Sequence, residues 1–124
     1  GEQLLNVACG GTLIQDIKNI NSKSLEHEQK NSRDETSHEV NIIKDTYLSK
    51  IIKNDKIMVN SAHHQAVDKL GKNLIINGLA NDQIIESIEH IKHSWCIGVQ
   101  WHPEFLITNA DKLIIKDFIK ASQN

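Results

Sequence analysis

Proline and cysteine are scarce in this chain, and its apolar residues never form a long continuous run. The 124 residues include one proline, two cysteines and six glycines, and 24% of the side chains are charged. This composition excludes collagen, coiled-coil and intrinsically disordered chains. It also excludes a membrane-spanning helix, which needs about 20 successive apolar residues. The length suits one domain with a modest hydrophobic core.

The charge balance is nearly neutral, with a formal net charge of −2. Lysine and arginine are spread along the chain rather than clustered, so we expect no nucleic-acid partner. Gly1–Asp16 has neither the basic start nor the continuous apolar stretch of a secretory signal. Cys9 and Cys96 are too few for a disulfide framework, and their apolar neighbours predict buried free thiols. These features predict a cytoplasmic protein without a membrane partner.

Apolar spacing predicts alternating strands and helices, which is typical of α/β architecture. The predicted helices are Leu4–Ala8, with one apolar face and a stop at Gly10 and Gly11, Thr46–Lys53, and Ala110–Ala121 with Asn109 as N-cap. The predicted strands are His38–Ile43, Lys56–Asn60, Leu74–Ala80, Ile84–His90 and Trp95–Gln100, the last one central and buried. The mostly polar stretch Asn21–Glu39 predicts a long solvated surface loop.

The segment GVQWHPE, Gly98–Glu104, is the sharpest chemical constellation. Pro103 pushes the preceding His102 toward extended backbone, in which residues two apart point the same way. The Glu104 carboxylate could then accept the Nδ1–H of His102 and leave the other ring nitrogen as a base. On spacing alone two alternatives stay open, a catalytic pair and a chance meeting of His and Glu in a solvated turn.

Three motifs together resemble one family. GVQWHPE is similar to the histidine–glutamate segment of class I glutamine amidotransferases and the related γ-glutamyl hydrolases, the C26 peptidase group. The opening GEQLLNVACGGTLIQDI resembles the helix after that family's nucleophile, CxGxQxLNVxxGGxLxQD. VNSAHHQAV, Val59–Val67, resembles the loop before the last strands, in the form typical of γ-glutamyl-γ-aminobutyrate hydrolase-like members. The resemblance implies a flavodoxin-like α/β fold with a mostly parallel sheet, of which residues 1–124 form the C-terminal part of a single glutamine amidotransferase type 1 domain.

The resemblance also implies a chemistry, which is attack of a cysteine thiolate on a γ-glutamyl amide. His102 would act as base and then as acid, Glu104 would orient it, and neither a cofactor nor a metal would be needed. Gly1 matches the glycine of CxG, so the cysteine would lie two residues upstream, in an upstream half that we expect as a partner. A γ-glutamyl small molecule is the expected substrate of the complete enzyme. Because the nucleophile is absent from these residues, we expect the isolated chain to be inactive.

Further site residues follow from the same motifs. Gln3 matches the glutamine of CxGxQ, which helps to hold the glutamyl group; the alternative is an exposed helix residue. His63 matches the histidine of NSxH and is expected to line the pocket. The neighbouring His63 and His64 suggest a metal site, but adjacent side chains diverge, so we expect no metal ligand here. Cys9 and Cys96 are expected to be structural.

Two other functions remain open. An amidotransferase would pass ammonia to a synthase partner, whereas the HHQ-type loop favours a stand-alone γ-glutamyl hydrolase. In a different class of function, the chain would be a catalytically dead remnant that serves as a binding or structural module.

Overall fold

A computed structural model describes residues 1–17, 27–32, 34–63 and 65–123. Within these ranges the helices are α1 (Glu2–Ala8), α2 (Tyr47–Ile52) and α3 (Asn109–Ser122), with a 3₁₀ turn at Pro103–Phe105. The strands are β1 (Leu13–Ile14), β2 (His38–Ile42), β3 (Lys56–Val59), β4 (Ala66–Val67), β5 (Leu74–Ala80), β6 (Ile85–His90) and β7 (Ile97–Val99). Strands and helices interleave along the chain, so the predicted α/β class is confirmed. None of the described helices is long and apolar enough to cross a membrane.

The described strands form one sheet in the order β1-β4-β6-β5-β2-β3, and β7 pairs with β6. All of these pairings are antiparallel. The expectation of a mostly parallel sheet is therefore wrong for this part of the chain. The reason is the length of the connections: β5 and β6 are joined by the short turn 81–84, and a parallel pair would need a crossover of about a dozen residues.

The hydrophobic core lies between β2 and β3 on one side and α2 and α3 on the other. Alternate residues of β2 are buried, so His38 points to the same side of the sheet as Val40 and Ile42. The core residues are Val40, Ile42, Leu48, Ile52, Ile57, Val59, Trp101, Ala110 and Ile114.

Helices α2 and α3 each begin at a threonine cap. Thr46 caps α2, whose first N–H groups at Tyr47 and Leu48 also donate to the Glu89 carboxylate at 2.9 and 3.2 Å. Helix α3 is capped by Thr108, not by Asn109 as the sequence predicts. Thr108 has the extended backbone that a cap requires, and its hydroxyl oxygen accepts the Asp111 N–H at 3.2 Å.

Helix α1 turns a polar side toward the rest of the protein, and much of the apolar face that its sequence predicts is exposed. Leu4 is 76% and Val7 50% exposed, while Glu2 and Asn6 are buried. Asn6 donates from Nδ2 to the carbonyls of Thr12 and Lys69 at 3.1 and 3.0 Å, and its Oδ1 accepts the N–H of Gly71 at 2.8 Å. These three hydrogen bonds decide which side of α1 faces the rest of the protein.

The polar stretch after α1 is not simply a solvated loop. Part of the prediction for Asn21–Glu39 lies outside the described residues. In the described part, however, His27 and Gln29 are buried. This segment runs antiparallel to residues 61–63: the Gln29 N–H donates to the Ser61 carbonyl, and the His63 N–H donates to the His27 carbonyl, both at 2.9 Å. The pairing carries His27 beneath the loop that holds His63.

The last predicted strand is shorter and less buried than expected. β7 covers only Ile97–Val99, and within the described residues it pairs with β6 alone, so it is not central there. Gly98 allows α1 to approach closely, because a Cβ at this position would lie 2.8 Å from the Cα of Glu2. This contact sets the start of α1 beside the end of β7.

Candidate active site

An open cleft of about 840 Å³ lies where α1 begins and β7 ends. Gly1, Gln3 and Leu4 line one side, and the chain from Ile97 to Glu104 lines another. His63 also contributes to its wall. The three motifs that carry the family resemblance therefore meet at one cleft.

His102 and Glu104 form a hydrogen-bonded pair in this cleft, with 2.9 Å between His102 Nδ1 and Glu104 Oε2. The expected contact is present, but the backbone reaches it differently. Glu104 lies in the 3₁₀ turn Pro103–Phe105, and this turn brings its carboxylate back to the imidazole. The His102 and Glu104 side chains are 42% and 65% exposed, so the pair is accessible to a reactant in the cleft.

The electrostatics of the pair suit a base held by a carboxylate. Partial burial raises the pKa of Glu104, but the hydrogen bonds from its own backbone N–H and from His102 outweigh burial and lower it. Glu104 therefore remains ionised and accepts the Nδ1–H of His102. The other ring nitrogen, Nε2, is left to take up a proton.

Asn60 holds the backbone of His102 and was not identified from the sequence. Its Oδ1 accepts the His102 N–H at 2.8 Å, and its Nδ2 donates to the His102 carbonyl at 3.4 Å. Asn60 is buried, directly after β3. Asn60 lies inside the VNSAHHQAV motif, which the family resemblance associates with the active site. The motif could therefore have pointed to Asn60, although it predicts no role for this residue.

Gln3 faces the cleft and belongs to a chain of amides. Its Nε2 donates to Gln100 Oε1 at 3.2 Å and to the Gln65 carbonyl at 3.3 Å. Gln100 in turn donates from Nε2 to the buried Glu2 Oε1 at 3.1 Å. Burial and the nearby charge of Glu86 raise the pKa of Glu2 well above its ordinary value. Gln3 is thus held in one orientation at the entrance of the cleft, and its substrate-binding role stays a prediction.

His63 reaches the cleft with its edge, but its ring belongs to a buried cluster. His63 Nε2 lies 3.1 Å from Glu86 Oε2, and His27 Nδ1 lies 3.5 Å from the same oxygen. His38 Nε2 lies 3.4 Å from the other oxygen, Oε1. Burial alone raises the pKa of Glu86, yet the adjacent His27 and His63 lower it to about 2.

The histidine cluster had no sequence signal. His27, His63 and Glu86 come from separate segments, and no spacing links them. One ligand atom from each of the three lies within 4.8 Å of the others, so this group could hold a metal ion. The sequence by itself suggests only His63 with its neighbour His64, which lies outside the described residues.

Neither cysteine is placed as a nucleophile. Cys9 and Cys96 are free thiols and are half-buried rather than fully buried as predicted. Neither lines the cleft that contains His102. Burial, together with the nearby Cys9, raises the pKa of the Cys96 thiol, which disfavours the reactive thiolate.

Comparison with known proteins shows the family of this chain. The peptidase C26 family model matches residues 1–104. The chain is 50% identical over 101 residues to a glutamine amidotransferase-like protein of Rickettsia prowazekii. This alignment covers 80% of the present chain and 36% of the relative. It is 29% identical over 132 aligned positions to the γ-glutamyl-γ-aminobutyrate hydrolase of Escherichia coli K12. That alignment covers the whole of the present chain and 52% of the hydrolase. The chain thus spans about a third to a half of the length of these relatives.

Solved structures show the same fold. A GMP synthase-like protein of Thermoplasma acidophilum superposes with a TM-score of 0.73 over 97% of this chain and 52% of that chain, at 16% identity. Solved glutamine amidotransferases share the architecture, so the fold is that of class I glutamine amidotransferase-like proteins. Together with the match over residues 1–104, these findings lead to one conclusion: the chain belongs to the peptidase C26 family.

Proposed function

We propose that these residues supply the histidine and glutamate of a Cys–His–Glu hydrolase that cleaves γ-glutamyl amides. One observation carries the proposal: His102 Nδ1 lies 2.9 Å from Glu104 Oε2 in a cleft that Gln3 and the start of α1 also line. An imidazole fixed in this way by a carboxylate is the base that a thiol nucleophile requires.

In the proposed reaction a cysteine thiol from the upstream half gives its proton to His102 Nε2. The thiolate sulfur then attacks the γ-carbonyl carbon, forming a C–S bond. His102 returns the proton to the leaving amine as the C–N bond breaks, which leaves a γ-glutamyl thioester. Water attacks this thioester with His102 again as base, and glutamate leaves as the thiol is restored. Glu104 stabilises the imidazolium in each step.

The nature of the substrate rests on two supports. The relative in Escherichia coli that matches the whole chain is named as a γ-glutamyl-γ-aminobutyrate hydrolase. The HHQ-type loop, from which His63 lines the cleft, is the form typical of that branch. We therefore propose a γ-glutamyl small molecule as substrate and water as the acceptor. The two free cysteines suit a reducing compartment, so we place the activity in the cytoplasm.

Because the cleft lacks a cysteine among the described residues, the chain alone should not turn over substrate. The test compares the 124-residue chain with a fusion in which the upstream part of the Rickettsia prowazekii relative precedes Gly1. Glutamate release from γ-glutamyl-γ-aminobutyrate and from glutamine is measured for both proteins. We expect release by the fusion, with preference for the γ-glutamyl amine, and none by the chain alone.

Two results would contradict the proposal. A well-folded fusion without activity on either substrate would favour a binding or structural module. Turnover by the chain alone that disappears in Cys9→Ser or Cys96→Ser would show that one of these thiols is the nucleophile.

A further inference from the structure

Three buried histidines surround one buried carboxylate, and one of them, His63, also lines the cleft. Glu86 is fully buried, His27 is 2% exposed and His63 is 7% exposed. His27 and His63 face Glu86 Oε2 at 3.5 and 3.1 Å, and their ring centroids are 4.9 Å apart. Burial of this many polar atoms is costly unless each one finds a partner. The described residues provide no hydrogen bond to His27 Nδ1, His63 Nε2 or either oxygen of Glu86.

The other nitrogen of each ring shows where the protons are. His63 Nδ1 lies 2.7 Å from the Gln65 carbonyl, which can only accept, so Nδ1 must carry hydrogen. His27 Nε2 lies 2.7 Å from Asp82 Oδ2, and His38 Nδ1 lies 3.0 Å from the Glu39 carbonyl. Each ring therefore donates outward. In the neutral rings, every nitrogen that faces Glu86 carries a lone pair.

Nitrogen lone pairs and carboxylate oxygens are all hydrogen-bond acceptors, so they repel one another when they are buried together. A proton or a metal cation between the nitrogens and the carboxylate would remove this repulsion. Burial lowers the pKa of His27, but the neighbouring Glu86 and Asp82 outweigh burial and raise it. One protonated ring would still leave other inward nitrogens without a partner, and several charged adjacent rings would repel one another. A divalent cation would satisfy all of the inward atoms at once and would match the charges of Glu86 and Asp82.

We propose that His27, His63 and Glu86 form a zinc site that stabilises the fold beneath the cleft. His27 Nδ1 and His63 Nε2 lie 3.5 and 3.1 Å from Glu86 Oε2, and the three atoms lie within 4.8 Å of one another. Small side-chain shifts would bring them to the separation of about 3.3–3.5 Å that zinc bonds of about 2.0–2.1 Å set between tetrahedral ligands. The outward hydrogen bonds to Asp82 and to the Gln65 carbonyl are those that orient metal-binding histidines. His38, whose Nε2 also faces Glu86, is the candidate for the fourth position.

The ion would join three separate segments. His27 lies in the stretch paired with residues 61–63, His63 in the cleft loop, and Glu86 on β6. Asn60, three residues before His63, holds the backbone of His102. In this proposal the ion has a structural role, because it would fix the loop that positions His102.

The test uses the 124-residue chain, expressed without a histidine tag and stripped of metal by chelator. Zn²⁺ alone is titrated by calorimetry at neutral pH, and Co²⁺ is added to obtain the visible spectrum of the site. We expect one Zn²⁺ per chain with submicromolar affinity, a raised melting temperature, and the absorption of four-coordinate cobalt. Glu86→Gln and His63→Gln should weaken binding at least ~100-fold, and Asp82→Asn about 10–100-fold.

A matched control comes from the half-buried His90 and the exposed His93, whose rings are 4.4 Å apart. His90→Gln with His93→Gln should leave the stoichiometric site unchanged. Titration of the unsubstituted chain and its ¹⁵N spectrum do not depend on any variant folding. Absence of stoichiometric Zn²⁺ binding would overturn the proposal, as would His27 and His63 rings that are doubly protonated at neutral pH. Binding that persists in a folded Glu86→Gln chain would do the same.

Discussion

Asn60→Ala offers the sharpest test of how the backbone of His102 is positioned. The substitution removes the acceptor of the His102 N–H, now at 2.8 Å, and the weaker donor to its carbonyl at 3.4 Å. Asn60 is 2% exposed, so water does not readily replace the lost side chain. An unsatisfied buried donor costs about 1–3 kcal/mol. We therefore expect a loss of about 2 kcal/mol in the free energy of unfolding, or a melting temperature lower by roughly 8 °C in a domain of this size.

Urea unfolding followed by circular dichroism measures the stability change, and amide hydrogen exchange measures the effect at His102. The His102 amide should lose protection in Asn60→Ala. It should keep protection in Asn60→Asp, which retains an acceptor at the same position. Asn109→Ala, at an exposed residue, is the control for the substitution itself. An Asn60→Ala chain within about 0.5 kcal/mol of the unsubstituted one, with unchanged exchange at His102, would refute this reasoning.

Two further predictions concern the contact between α1 and β7. Glu2→Gln should stabilise the chain at neutral pH: burial and Glu86 raise the pKa of Glu2, so the native state holds a proton that the unfolded state releases. The advantage should grow as pH rises above the ordinary glutamate range and vanish below it; a constant difference in urea titrations at several pH values would contradict this. Gly98→Ala should destabilise by about 1–3 kcal/mol, because its Cβ would lie 2.8 Å from the Glu2 backbone. Gly1→Ala, which meets nothing within 4 Å, should be neutral in the same melting experiment.

The sequence predicted the parts of the site that depend on neighbouring residues. His102 and Glu104 are two residues apart around a proline, so local backbone geometry is enough to bring them together. Even here the geometry differs, since a 3₁₀ turn and not an extended strand makes the contact. The strand pair around the turn 81–84 was likewise predictable, because two apolar segments flank a short polar connection.

The predictions that were wrong concern contacts between segments that are far apart in the sequence. Apolar spacing placed Leu4 and Val7 inside, but the hydrogen bonds of Asn6 to distant carbonyls turn the other side of α1 inward. The expectation of a parallel sheet rests on the family resemblance and not on any local sequence pattern. In the described residues the strands pair antiparallel instead, in the order that the short connections between them allow.

The cluster around Glu86 could not be predicted from the sequence either. His27 lies in a polar stretch that composition alone assigns to solvent, yet its pairing with residues 61–63 buries it. Nothing in the spacing of His27, His63 and Glu86 marks them as neighbours. Such groups become visible only when the tertiary pairing of their segments is known.

The central claim is that His102, held by Glu104, is the base and acid of γ-glutamyl hydrolysis. The most direct measurement is kcat/KM for γ-glutamyl-γ-aminobutyrate in the fusion with the upstream part of the Rickettsia prowazekii relative, comparing His102→Asn with His93→Asn. A general base contributes about 10²–10⁴-fold to the rate. We therefore predict a loss of at least ~100-fold for His102→Asn and no significant loss for His93→Asn, which changes an exposed histidine away from the cleft. Equal activity of the two folded variants would contradict the account.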